Sequence, residues 1–309
     1  MHLGARTRPR APGGCEHGDL AGIIGGMTPE QVPFLRCPRC NGSLSYIGTM
    51  WNGRLHAGNL HCGSCARPWP VEQGMPHLLE ATAVYGFEAF VRVVYELFAP
   101  FHDLGVRYGL PLAMLATEEE VRENYMPRLE VEAIAQGRVD AGPARILDVG
   151  IGGGGNLPHL AHHAPAGVDV EIWGVDFSTQ MLRQCRRRLA TWDGPPVYLL
   201  LGDAHALPFA DASFDRVLHV GGIATYRDPA RALAEMARVA RPGTPIVVVD
   251  EHLDPAAGWY QWWMFHWITL LDGVARVPVE HVPRGATDVR VTQVSSFYYC
   301  LSFRSPAIR

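Results

Sequence analysis

From residue 144 onward, short unbroken apolar runs alternate with stretches of helical periodicity. The runs are RILDVG at 145–150, IWGVDF at 172–177, VYLLLGD at 197–203, FDRVLHV at 214–220 and PIVVVDE at 245–251. Segments 156–163, 178–191 and 229–240 between them predict helices. Runs that are apolar at successive positions predict strands buried on both faces. Helical crossovers between them predict a parallel sheet with helices on both sides. Two last runs, DVRVTQV at 288–294 and FYYCLSF at 297–303, are separated by Ser295 and Ser296 and predict an antiparallel hairpin at the sheet edge.

Upstream, residues 83–135 predict helices. Tyr85, Phe87, Phe90, Val91, Val94, Leu97 and Phe98 recur at helical spacing until Pro100, and Thr117 followed by three glutamates predicts a second helix start. The run WYQWWMFHWITLL at 259–271 is intensely aromatic and too short to span a bilayer. It fits a cap lining a pocket for a large apolar or aromatic acceptor, a dimer interface or plain core, or a membrane-surface anchor. The stretch around Tyr95, Phe98, Phe101, His102 and Tyr108 is placed to close the other side as a lid.

Composition narrows the chemistry. With 48% hydrophobic and 19% charged residues among 309, the chain has the profile of a soluble globular protein. The formal charge of −4 argues against a protein whose main task is gripping nucleic acid. All 27 basic residues are arginine, which excludes Schiff-base chemistry and lysine-dependent phosphate loops. No stretch reaches the ~18 apolar residues of a membrane helix. The first residues lack a signal-peptide core, so an unstructured leader at 1–30 and a cytoplasmic location are expected.

Four of the seven cysteines form two C-x2-C pairs, Cys37/Cys40 and Cys62/Cys65, with 21 residues between them. Each pair predicts a knuckle aiming two thiolates at one point, and two knuckles make the tetrahedron that Zn²⁺ prefers. A site filled by four sulfurs leaves no position for water and is therefore structural. Residues 31–80 are expected to form this zinc ribbon, residues 81–140 a helical linker or lid, and residues 141–309 the ligand-binding domain.

In parallel sheets of this kind ligands bind beyond the carboxyl ends of the strands. The first such end is Asp148-Val-Gly150-Ile-Gly152-Gly-Gly154-Gly155-Asn156, which also satisfies the dinucleotide spacing at Gly150, Gly152 and Gly155. The second strand ends at Asp176-Phe177, where a carboxylate can accept both hydroxyls of a ribose. The third ends at Asp203-Ala204, where a carboxylate can accept from an adenine amino group.

Together, D-x-G-x-G-x-G, V-D-x-S, GDA-x-x-LPF-x-x-x-x-FD and E-x-x-R-V-x-R-P-G resemble the class I S-adenosylmethionine-dependent methyltransferases, in particular the ubiquinone/menaquinone C-methyltransferase-like group, over about residues 144–252. The resemblance implies an α/β, Rossmann-like sheet of parallel strands plus a C-terminal antiparallel hairpin. It implies S-adenosylmethionine as cofactor, with Asp148, Gly150, Gly152 and Gly154 at its methionine end. Asp176 would bind the ribose, Phe177 and Met181 would flank the adenine, Asp203 and Ala204 would meet the adenine edge, and the segment from His219 would lie beside the sulfonium. If the acceptor must lose a proton, the base candidates are His252 first, then His219 and Tyr226, with Glu251 and His205 also near the strand ends. The expected function is methyl transfer to a small, fairly apolar metabolite.

Two alternatives stay open. A zinc ribbon ahead of such a domain also resembles rRNA guanine-N1 methyltransferases, with Arg36, Arg39, Arg54 and Arg67 and the aromatic residues Tyr46, Trp51 and Trp69 as the RNA-facing set. The fold can also bind the cofactor without transferring methyl, as a cyclase or scaffold. A ribbon serving only structure or dimer formation is the plainer expectation. If it is peripheral, removing residues 1–80 should leave cofactor binding largely intact.

Overall fold

The computed structural model describes residues 26–80, 93, 116–136, 142–268 and 276–307. The first-helix expectation within 83–115 and the lid residues lie outside this set.

The described residues form two sheets. The smaller has four strands in sequential order, β1 (Leu44–Trp51), β2 (Arg54–Cys62), β3 (Pro68–Glu72) and β4 (Met75–Pro76), all antiparallel. The larger contains β5 (Ala144–Val149), β6 (Val170–Asp176), β7 (Val197–Leu201), β8 (Arg216–Val220), β9 (Pro245–Glu251), β10 (Thr287–Gln293) and β11 (Tyr298–Arg304), in the order β10-β11-β9-β8-β5-β6-β7. Strands β5 to β9 are parallel, whereas β11 runs antiparallel to both β9 and β10. The five expected strands and the closing hairpin are therefore present. The last strand in sequence, β11, is the one that joins the parallel sheet, which leaves β10 at the edge.

Chain order places the switch point. Strands β6 and β7 are laid down on one side of β5, and β8 and β9 on the other. The carboxyl ends of β5 and β8 therefore open a crevice between crossovers leaving in opposite directions. All six residues of β5 are buried, as a central strand covered on both faces requires.

Five α-helices are described: α1 (Glu118–Tyr125), α2 (Leu157–His162), α3 (Thr179–Leu189), α4 (Pro229–Val239) and α5 (Trp259–Ile268). Their starts follow from local chemistry. Thr117 and Glu120 form a reciprocal capping box, Ser178 accepts from the Met181 amide, and Asp228 accepts from the Arg231 amide. The helix expected after Thr117 ends at Tyr125 rather than near 135. Pro127 follows, and the chain continues in 3-10 turns at Met126–Leu129 and Val131–Ala133.

One sheet face is covered by α1, α2 and α3, through residues such as Tyr125, Leu157, Leu160, Leu182 and Leu189. The other face is covered by α4 and by the cysteine-bearing sheet. Trp173 is fully buried there, with Phe209, Phe214 and Tyr198 rings around it and the edge of Phe34 against it. Met27, Leu35, Leu60, Trp69 and Leu78 belong to the same continuous apolar core.

The backbone joins the two sheets as well. The Leu78 amide donates to Leu201 O at 2.8 Å, and His77 bridges Leu201 in parallel, so the segment leaving β4 caps the β7 edge. The Arg36 amide donates to Pro208 O at 2.9 Å, and the Ala210 amide to Phe34 O at 3.0 Å. The Arg145 guanidinium lies 3.7 Å from the Phe34 ring centre. Residues 26–30, expected inside an unstructured leader, are part of this assembly. Met27 has no exposed surface, and its carbonyl accepts from the Leu55 amide at 2.8 Å.

The cysteine-bearing unit is thus a wall of the core rather than an appendage. Removing residues 1–80 would bare Trp173 and Phe209 and leave the β7 edge unpaired. Truncating a single large buried aromatic side chain to alanine costs about 3–5 kcal/mol, and this deletion removes Phe34 and Trp69 together. The shortened chain is expected to lose its cooperative urea transition by circular dichroism; a sharp transition at the full chain's midpoint would show that the larger sheet stands alone.

Candidate functional site

The turn after β5 is built for close approach. Gly150, Gly152 and Gly154 all have positive φ, at 72°, 55° and 78°. At Gly154 a side chain is also excluded by space, because a Cβ would come within 2.8 Å of both Cys185 Sγ and Leu157 Cδ1. The Gly150 amide donates to Val175 O at 2.7 Å, and the Gly152 amide to Asp176 Oδ2 at 2.9 Å. Asp176 Oδ1 accepts from the Ser178 amide at 2.8 Å. One carboxylate therefore ties the glycine turn to the start of α3. Met181 is buried with its methyl group against Gly152, and Phe177 is half-buried beside Asp176.

Asp148 is completely buried at the tip of β5. Its Oδ2 accepts from Asn156 Nδ2 at 3.1 Å, while Oδ1 has no hydrogen-bond partner among the described residues. Burial pushes its carboxyl up to about 7, opposed by the Asn156 hydrogen bond and the Arg122 charge.

Beyond β7 the geometry departs from expectation. Asp203 faces protein donors. Its Oδ1 accepts from the His205 amide at 2.9 Å and lies 2.7 Å from His205 Nδ1, and its Oδ2 accepts from Arg227 Nη2 at 2.6 Å. Burial raises its carboxyl, but the His205 and Arg227 hydrogen bonds outweigh that and hold it below the usual range. Ala204 is half-buried next to it.

His219, at the end of β8, is fully buried. Burial depresses its pKa and keeps the ring neutral. Nδ1 lies 2.7 Å from Val149 O, an acceptor only, so Nδ1 carries the proton and Nε2 keeps its lone pair. Nε2 has no hydrogen-bond partner among the described residues. The Tyr226 ring sits between two imidazoles, 5.3 Å from His219 and 5.1 Å from His205.

His252 lies elsewhere. It follows β9, two strands from β5, and its ring stands edge-on to Tyr299 at 6.2 Å. Its backbone is held by Phe297 O and by the Gln293 side chain, and its Nδ1 is buried without a partner among the described residues. Glu251 is half-buried at the end of β9.

The structure thus brings Asp148, Asp176, Met181 and the glycines into one cluster. His219, Tyr226 and Asp203 form a second, joined to the first through Val149 and Gly150. Sequence reasoning left out Arg122 and Tyr125 from α1, which reach over the glycine turn to Asn156, and Arg227, which pairs with Asp203. An arginine one residue after Tyr226 was the only local signal for the last; nothing in the spacing marked the other two.

The cysteine cluster is compact. The four Sγ atoms of Cys37, Cys40, Cys62 and Cys65 lie within 4.8 Å of one another, with Cys37–Cys65 at 3.8 Å and Cys40–Cys62 at 3.4 Å. A tetrahedron with bonds of about 2.3 Å to a central metal has edges of about 3.8 Å. The Ser64 and Cys65 amides donate to Cys62 Sγ, an arrangement suited to a thiolate. Of the aromatic residues considered for base stacking, Trp69 is 2% exposed, with the Arg67 guanidinium packed on it at 4.7 Å, while Trp51 is exposed. Arg67 also pairs with Glu80.

Comparison with known proteins bears on the larger sheet. Residues 146–243 match the family described as methyltransferase domain. A demethylmenaquinone methyltransferase of Renibacterium salmoninarum is 37% identical over 155 residues, covering 50% of this chain and 58% of that protein. A ubiquinone/menaquinone biosynthesis C-methyltransferase, UbiE, of Bordetella avium is 37% identical over 143 residues, covering 44% and 55%. The chain thus spans little more than half the length of these curated relatives. Among solved structures, a phosphoethanolamine N-methyltransferase 2 of Haemonchus contortus in complex with S-adenosyl-L-methionine aligns at 14% identity and a TM-score of 0.48, covering 77% of this chain and 62% of that one.

The state of Asp148 is open to measurement without any ligand. Below about pH 4 its carboxyl is neutral in both folded and unfolded chains. Between about 4 and 7 the unfolded chain has lost the proton and the folded one keeps it, so this group lowers stability as pH rises through that window. Asp148→Asn is expected to flatten the fall in stability between pH 4 and 7 relative to the parent, at roughly 1.4 kcal/mol per unit of pKa displacement, as read from denaturant midpoints. Parallel pH profiles for parent and variant would show an ordinary carboxylate at this position.

Proposed function

We propose, from the premise that residues 146–243 are a class I methyltransferase domain, that the whole chain transfers a methyl group from S-adenosylmethionine to a small, fairly apolar acceptor. One observation carries the reading. Two buried carboxylates, Asp148 and Asp176, stand at neighbouring strand tips on either side of a positive-φ glycine turn, and one of their oxygens, Asp148 Oδ1, is buried without a hydrogen-bond partner among the described residues. A dry, unmatched polar oxygen of this kind is costly in either protonation state unless a ligand answers it, so the residues fit the cofactor. Asp148 and the glycine turn would hold its methionine end, Asp176 its ribose, and Phe177 and Met181 its adenine. Asp203 would meet the adenine edge with the lone-pair capacity that His205 and Arg227 leave. Similarity to demethylmenaquinone methyltransferases supports an apolar acceptor.

S-adenosylmethionine, when bound, supplies an activated methyl group on a positively charged sulfur. The protein's part is alignment and exclusion of water. The described segments supply this through the buried strand tips and the rings of His219 and Tyr226. Where the acceptor must give up a proton, His219 is the better-supported base: it is neutral, its Nδ1–H is committed to Val149 O, and its Nε2 lone pair is available. His252 stays second, because its ring packs on Tyr299 away from the glycine turn.

The four cysteines are read as holding one structural Zn²⁺ in a cytoplasmic protein, where thiolates stay reduced. Its chemical work is to close the two knuckles and keep the ribbon seated on the core.

Two measurements test these readings. Asp176→Ala removes the ribose acceptor and frees the Gly152 and Ser178 amides, so calorimetric affinity for S-adenosylhomocysteine is expected to fall by at least about 30-fold; equal affinity would take Asp176 out of the site. Metal analysis is expected to find one zinc per chain, lost in Cys40→Ser, with a fall in thermal midpoint on chelation. A stable, cooperative, metal-free chain would reject the four-thiolate site.

A further inference from the structure

Asp148 is joined to α1 through a single side chain. Asn156 Nδ2 donates to Asp148 Oδ2, while Asn156 Oδ1 accepts from the Tyr125 hydroxyl at 2.8 Å and from Arg122 Nε at 3.1 Å. The orientation of the amide follows from chemistry. A guanidinium has donors only, so the amide atom facing it must be oxygen. The NH2 group then faces Asp148 and needs an acceptor at Oδ2. Any proton Asp148 carries is therefore confined to Oδ1. Arg122 is fixed in turn by Glu118, one helical turn earlier. It also fills the space over Gly155, where a Cβ would stand 2.6 Å from its Nη2.

Resting on the donor-site reading above, we propose that Arg122 and Tyr125 are positioning residues: they lock the Asn156 amide so that Asp148 offers Oδ1 alone to the ammonium group of the ligand's amino-acid moiety, which displaces the proton held there. The exchange balances simply. The O–H bond at Oδ1 breaks, the proton passes to solvent, and a charge-assisted hydrogen bond from the ammonium takes its place.

The groups around Asp148 agree with such an exchange. Arg122 from α1 favours the ionised carboxyl, while Asp176 from β6 and burial itself favour the neutral one. Tyr125 and Cys185 also face Asp148, from α1 and α3, and both are held protonated by burial. Glu118 is neutralised by Arg122. With the carboxyl poised at about 7, an arriving cation finds a proton to displace below neutrality.

The test is calorimetry on the full chain with S-adenosylhomocysteine, which keeps the ammonium group, and with 5′-methylthioadenosine, which lacks it. At pH 6, in two buffers of unlike ionisation enthalpy, the first compound is expected to release about one proton and the second none. Affinity for the first should rise about tenfold from pH 6 to pH 8. Asn156→Leu should move the midpoint of that rise up by about one pH unit, and Tyr125→Phe should move it less, in the same direction. Loss of a merely structural contact would lower the thermal midpoint and leave the pH midpoint in place. If Asn156→Leu does not fold, Tyr125→Phe decides. Binding without proton release, or an unmoved pH midpoint in the folded variants, would overturn the positioning role while leaving the donor site standing. Failure of the parent chain to bind either compound would overturn the donor site, and this proposal with it.

Discussion

A carboxyl group held out of water at the tip of the central strand sets the terms for its surroundings. Asp148 ends a strand buried on both faces, so no solvent reaches it from the sheet. Stabilising it there takes an amide donor from Asn156, and that amide must be oriented by something beyond its own loop. The orienting groups come from α1, more than twenty residues earlier in the chain, and the Arg122 guanidinium lies directly over Gly155. The glycines thus serve two partners. Some supply positive φ for the turn, and one yields space to an arginine.

The second carboxylate has a different part. Asp176 binds amides from two separate loops and makes the glycine turn and the start of α3 one rigid unit. Asp203 is different again, because His205 and Arg227 already surround it. Three acids at equivalent strand ends therefore have three electrostatic environments: one buried with an open oxygen, one bound by two backbone amides, one paired with cationic and imidazole groups. Similar positions in a pattern do not imply similar charge states, since burial and partners decide them.

The cysteine-bearing sheet gives the core its outer wall on one side. Leu35, Leu78 and Phe34 reach into the region around Trp173, and the chain leaving β4 closes the β7 edge. Arg36, whose amide bonds Pro208, immediately precedes the first knuckle cysteine. The loop that begins at Asp203 is thereby anchored to the cysteine cluster by a few residues of backbone. An edge strand covered in this way is also protected from pairing with other chains.

Much of this was legible in the chain itself. Continuous apolar runs specified the parallel strands, because a strand buried on both faces has no polar side to show. Paired cysteines at fixed spacing specified the two knuckles and their four-thiol cluster, because the side-chain type and turn geometry are local. The acids at strand ends were visible for the same reason. Tertiary structure alone decided which oxygens those acids leave open, that His219 rather than His252 stands beside the glycine turn, that Met27 and Trp69 are core, and that Arg122 and Tyr125 govern Asn156. Each of these depends on contacts between segments far apart in sequence, and a periodicity or a spacing records only what neighbours along the chain require of one another.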